Sequence, residues 1–194
     1  AFGVGNEAMT IAQIPEFTMI SAGKIVLVSI LCAALSIIFC VTMHAASKYT
    51  KKLIPNPYIR IFVFGILIVV IQLMTKTTDY MGAGMDVIER TMHGEVNGEA
   101  VLLKLVLTAI TLGVGFKGGE IVPSFFVGAT FGCLLGQFFG ISPSMCAAVG
   151  MIAVFCGVTN SPVTSVLLGF ELFGMGGIYF ILIGVAVSYM LSGY

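Results

Sequence analysis

The strongest constraint on this chain is where it carries no charge. Fifty consecutive residues, Ile121 to Phe170, contain no Asp, Glu, Lys or Arg, and after the lone Glu171 another 23, Leu172 to Tyr194, are uncharged as well. Apolar runs of that length belong in lipid. The composition agrees: 58% of the 194 residues are hydrophobic and 9% are charged, against about a quarter charged in an average soluble domain. Such proportions rule out a soluble enzyme. The net charge is zero and no basic block is long enough to neutralise a phosphate backbone, which argues against nucleic acid as a partner. A membrane-spanning helix takes about 20 residues, so the chain has room for at most about six to eight spans. That is small for a complete transporter.

The remaining reactive residues narrow the chemistry further. Cys32, Cys40, Cys133, Cys146 and Cys156 all lie in apolar stretches with no CxxC pair, the pattern of small core side chains without metal or disulfide. His44 and His93 have no second ligand at metal-binding spacing. The first apolar run starts at Ile25, behind Ala1 to Lys24 with Glu7 and Glu16, which does not fit a signal peptide. Ala1 stands where a methionine would start a reading frame, so a fragment or a trimmed chain is expected.

Along the chain, Ile25 to Ser47 is a full-length uncharged span, closed by Lys48, Lys51, Lys52 and the Pro55-Asn-Pro57 stop. Ile61 to Thr75 is a second, short one. Lys76 to Glu99 is wet: it holds Asp79, Asp86, Glu89, Glu95 and Glu99, is interrupted by glycines, and leaves room for a short amphipathic helix around Met85 to Met92. From Val101 the sequence is apolar again, cut by Gly and Pro into Val101–Phe116, Ile121–Phe139, Met145–Gly157, Val163–Phe173 and Ile178–Leu191. Most pieces are too short to span alone. Broken helices at membrane depth survive only where protein or a water-filled cavity covers them, which points to the interior of a transporter or channel. The GxxxG spacings at Gly128, Gly132 and Gly136 mark a closely packed helix face. Lys48, Lys51, Lys52 and Arg60 gather in one loop, so residues 48–60 are expected in the cytoplasm and the acidic stretch outside.

Function is sought in Gly113 to Pro123, GVGFKGGEIVP, which separates two apolar helices. Gly118 and Gly119 are expected to let the chain turn and approach a ligand, and Pro123 suits the first turn of a helix. The amides of Glu120, Ile121 and Val122 would then be free donors at the positive end of a helix dipole. Such an end attracts an anion without a fixed charge to trap it. An ordinary helix break between two packed spans is the alternative.

These residues resemble a known family. Gly119-Glu-Ile-Val-Pro123 is similar to the GxFxP filter motif of the CLC chloride channels and chloride/proton antiporters, and Ser124 to Gly132 to the helix that follows it. Asn160 to Glu171 resembles the family's helix that starts at a proline and carries a buried glutamate nine residues on. The order of segments matches the second half of a CLC subunit over essentially the whole chain. The resemblance implies an all-α integral membrane fold, a multi-helix bundle of long, tilted and broken helices forming one of two inverted-repeat halves. Within it, residues 1–24 are a linker, 25–75 the first two helices, 76–99 a polar loop with a short helix, and 100–194 the filter-bearing and following helices.

By the same resemblance, the backbone amides of Glu120 and Ile121 hold the anion while Gly119, Val122 and Pro123 shape the turn. Ile121 replaces the family's usual Phe. Glu120 is expected as a helix-start carboxylate paired with Lys117, a relay role being the alternative, and Glu171 as a structural hydrogen-bond acceptor. The GGE variant resembles a bacterial branch close to the fluoride exporters, but Val122 stands where those tend to carry a threonine, so chloride is expected ahead of fluoride. No cofactor is implied beyond the transported ion. The implied partners are an N-terminal half of the same transporter, a second subunit through Val163–Phe173 and Ile178–Leu191, and the lipid bilayer of a bacterial plasma membrane. The family's GSGIP and GREGP motifs, with the hydroxyl and the gating glutamate, are absent, and Tyr194 falls just short of the tyrosine that closes the filter on the inside. Channel and proton-coupled antiporter both stay open, as does a truncated product without transport. Intramembrane proteolysis would need GxSG or GxGD, and aquaporin-like pairing two NPA turns; neither set is present.

Overall fold

A computed structural model describes residues 9–75, 79–80 and 82–193; Glu7 and Tyr194 lie outside the described residues. Among these, all regular structure is helical, in eight helices: α1 (Met19–Leu53), α2 (Pro57–Thr75), α3 (Met85–Met92), α4 (Ala100–Val114), α5 (Ile121–Phe139), α6 (Pro143–Thr159), α7 (Pro162–Phe173) and α8 (Ile178–Ser192). Three of them, α1, α2 and α5, are long and apolar enough to cross a membrane. The shorter apolar helices α4, α6, α7 and α8 are the broken pieces expected from the Gly and Pro pattern.

α1 is longer than its uncharged core. It starts at Met19, where the Thr18 hydroxyl accepts the Ser21 amide at 3.2 Å, and it carries Lys48, Lys51 and Lys52 within its last turns. At 1.5 Å per residue its 35 residues extend roughly 50 Å, more than the ~30 Å hydrocarbon layer, so it tilts or projects. α1 ends at Leu53, before the expected Pro55-Asn-Pro57 stop, and Pro57 itself begins α2: the Asn56 side chain accepts the Tyr58 amide at 3.0 Å, and proline suits the first helical position.

The core is built around α6, in which every residue from Ser144 to Cys156 is buried. α5 packs along it through the expected glycine face. A methyl group at Gly132 would collide with the carbonyl of Cys146, and one at Gly136 would lie 2.7 Å from the Pro143 Cα. α1, α5, α7 and α8 surround α6, while α4 bridges α1 and α5. α3 seals one end: Val87, Ile88, Thr91 and Met92 face inward, and Arg90 pairs with Asp79 at 2.8 Å. α2 is the outlier, packed mainly on α4, with Phe62, Leu73 and Tyr58 at least 70% exposed. All five cysteines are free and all but Cys40 are buried.

Candidate anion site at the start of α5

The site begins with the way α4 ends. Gly115, at φ 109°, adopts the left-handed conformation that closes the helix, its amide bonding to the Leu112 carbonyl at 3.1 Å and that of Phe116 to Thr111 at 3.3 Å. The turn therefore belongs to Gly115 and not to Gly118 or Gly119, neither of which has a positive φ. Two other segments hold the last carbonyls. The Thr50 hydroxyl donates to Gly113 at 2.7 Å and the buried Arg60 donates through Nε to Val114 at 2.8 Å, while Arg60 Nη1 reaches the Ile54 carbonyl at 3.2 Å. A fixed cation at a helix C-terminus also answers the negative end of its dipole. Sequence reasoning counted Arg60 only as one charge of a basic loop; a lone arginine opening an apolar helix was the available signal.

From Gly115 the chain doubles back along α1. Gly113 touches Ala46 and Ser47, whereas the Glu120 carboxylate comes within electrostatic range of Cys40, about 9 Å nearer the middle of that helix. α5 thus starts level with the middle of α1, away from the level of the lysines, and on the surface of the described helices, where Gly118 to Val122 are all exposed. Its first intrahelical bond runs from the Ser124 amide to the Glu120 carbonyl at 3.0 Å. The amides of Glu120, Ile121 and Val122 have no acceptor among the described residues, and Pro123 has no N–H to offer. Nothing lies within 4 Å of the space a Gly119 side chain would occupy. The backbone at this point is open to a ligand.

Two expectations about side chains fail. Lys117 and Glu120 are both exposed and form no ion pair among the described residues. Side chains three apart meet only on a helix, and residues 116–119 have no helical structure. Glu171 is exposed on α7 and accepts no hydrogen bond among the described residues, so it is not the buried acceptor that the resemblance implies. α7 contacts α6 and α8 but not α5. The fold brings Lys117, Gly119, Glu120, Ile121, Val122 and Pro123 together at one loop and leaves Glu171 apart.

An all-helical bundle with three helices long and apolar enough to cross a membrane, and with unpaired amides at the start of α5, defines the class of a helical membrane protein. Residues 2–193 match the family model described as voltage gated chloride channel, and the chain belongs to that family. It is 30% identical, over its whole length and 44% of the relative's, to a chloride/fluoride channel protein of Pseudomonas syringae pv. tomato. Over 47% of its length it is 31% identical to the voltage-gated ClC-type chloride channel ClcB of Yersinia pseudotuberculosis, covering 23% of that protein. A CLC-type fluoride/proton antiporter superposes with a TM-score of 0.90 at 27% identity, over 95% of this chain and 47% of that one. The chain thus spans about half the length of its long-matching relatives.

Proposed function

We propose that this chain is the C-terminal half of a transmembrane anion channel or anion/proton antiporter, contributing the start of α5 to the anion filter. The observation that carries the reading is the set of three amides, Glu120 to Val122, with no acceptor among the described residues, at the positive end of a 19-residue helix. Glu120 and Ile121 hold the ion by their N–H groups, Gly119 leaves room for it, and Val122 and Pro123 fix the turn. No side chain needs to be charged, and the ion can leave. The remaining half supplies the opposing donors and the gate. Residues 48–60 face the cytoplasm of a bacterial cell, and α7 and α8 meet a second subunit.

The test is flux. The protein containing this segment together with its native N-terminal half, reconstituted in liposomes, passes anions, and Ile121→Pro, which deletes one donor, lowers the rate at least tenfold. Proline is accepted at a first helical position but disfavours the helical backbone that Glu120 adopts. A thermal-unfolding control therefore accompanies the flux. Unchanged flux in a folded variant refutes the filter role. Chloride is the ion favoured by Val122. Fluoride is the second reading, favoured by relatives named for it, and efflux of both ions from the same vesicles decides between them. Uptake driven by a pH gradient identifies an antiporter, and its absence a channel.

A further inference from the structure

α4 has only three polar side chains, Lys104, Thr108 and Thr111, and their spacing of four and three residues puts them on one face. That face lines a cavity of about 580 Å³ between α2, α4 and the start of α5, which also reaches Gly118, Gly119 and Pro123. Lys104 is 3% exposed. Its ammonium donates to the carbonyls of Tyr80 at 3.2 Å and Gly82 at 2.7 Å and sits 4.9 Å from the centre of the Phe126 ring. Those contacts orient the group without neutralising it, for among the described residues no carboxylate pairs with it. A buried charge in a membrane protein is costly unless it is compensated. Beside it, one helical turn on, Thr108 is 8% exposed, and its hydroxyl has no hydrogen-bond partner among the described residues.

We propose that Lys104 and Thr108 form a second halide site in this cavity, separate from the start of α5. The anion supplies the counter-charge that Lys104 lacks and accepts the Thr108 O–H. Thr111 bonds to the Leu107 carbonyl at 2.7 Å and lines the way from this site toward Gly119, so the cavity stores an ion roughly 20 Å or less along α4 from the filter turn. This storage role rests on the anion-transport reading above; the binding itself does not.

The experiment uses bromide as the probe, in crystals of the full protein grown in sodium bromide, with halide titration calorimetry alongside. An anomalous peak between Lys104 Nζ and Thr108 Oγ1 is expected, and it disappears in Thr108→Val, a nearly isosteric change that keeps the fold. Lys104→Met weakens that binding event at least tenfold, and Lys104→Arg retains it. Peaks confined to the α5 start overturn the second site and leave the proposed function standing. A peak at Lys104 with none at α5 upholds the site and counts against the filter. Bromide at neither position overturns the second site and counts against a chloride filter at α5.

Discussion

Arg60 joins three segments through one guanidinium, linking the end of α1 at Ile54 to the end of α4 at Val114 from its own place in the first turn of α2. A hydrogen bond from a charged donor contributes about 1.5–3 kcal/mol, and leaving its buried carbonyl partner bare adds a desolvation penalty. Arg60→Met is therefore expected to lower stability by about 2–4 kcal/mol, read as an earlier thermal transition in detergent. It should also reduce flux, because the Gly115 turn that launches the chain toward Glu120 loses its anchor. Arg60→Lys recovers part of the stability, since a single ammonium cannot hold both carbonyls in the same fork. Ile121→Phe makes the complementary prediction. If the ion contacts only backbone N–H groups, restoring the family's aromatic ring at a position that is 48% exposed leaves halide affinity within about twofold. A larger change means that the side chain touches the ion.

Among the elements, α3 and α5 have the bounds read from the sequence, because Gly, Pro and charge punctuate both ends of each. α1 does not, for hydropathy marks the part of a helix that lies in lipid and not where hydrogen bonding stops; its lysines simply extend beyond it. The pairing of Lys117 with Glu120 presupposed a helical turn that Gly115 and the following four residues do not make. The clamp by Arg60 and Thr50 is legible only on the arginine's side, since the carbonyls of Gly113 and Val114 that it holds lie more than 50 residues away in sequence. The α5–α6 contact, in contrast, was written locally as GxxxG. Gly132→Ala should cost about 1–3 kcal/mol, because its methyl meets the backbone of Cys146, which cannot swing aside. Gly119→Ala, with open space around it and no positive φ, should leave stability unchanged. Thermal unfolding of the two variants side by side checks both, and equal losses would contradict the packing.

At the scale of the whole molecule, the chain presents faces that its own helices leave uncovered. Val163, Leu167 and Phe170 on α7 are at least 50% exposed, and Glu171 stands exposed beside them. The alkyl groups alone would sit well in lipid. The carboxylate would not, since a charged side chain facing acyl chains is costly. A face that mixes the two is better matched by protein than by acyl chains, in line with a second subunit against α7 and α8. Leu167→Cys, placed in a background with Cys40→Ser so that the other cysteines stay buried, should then cross-link between subunits in membranes when treated with a short bifunctional maleimide. The same reagent on Phe62→Cys should give no subunit dimer, because α2 packs on α4 and α1 and contacts neither α7 nor α8. A cross-link through Phe62 but not Leu167 would move the subunit interface to α2 and leave the Glu171 carboxylate to be covered from within the same chain.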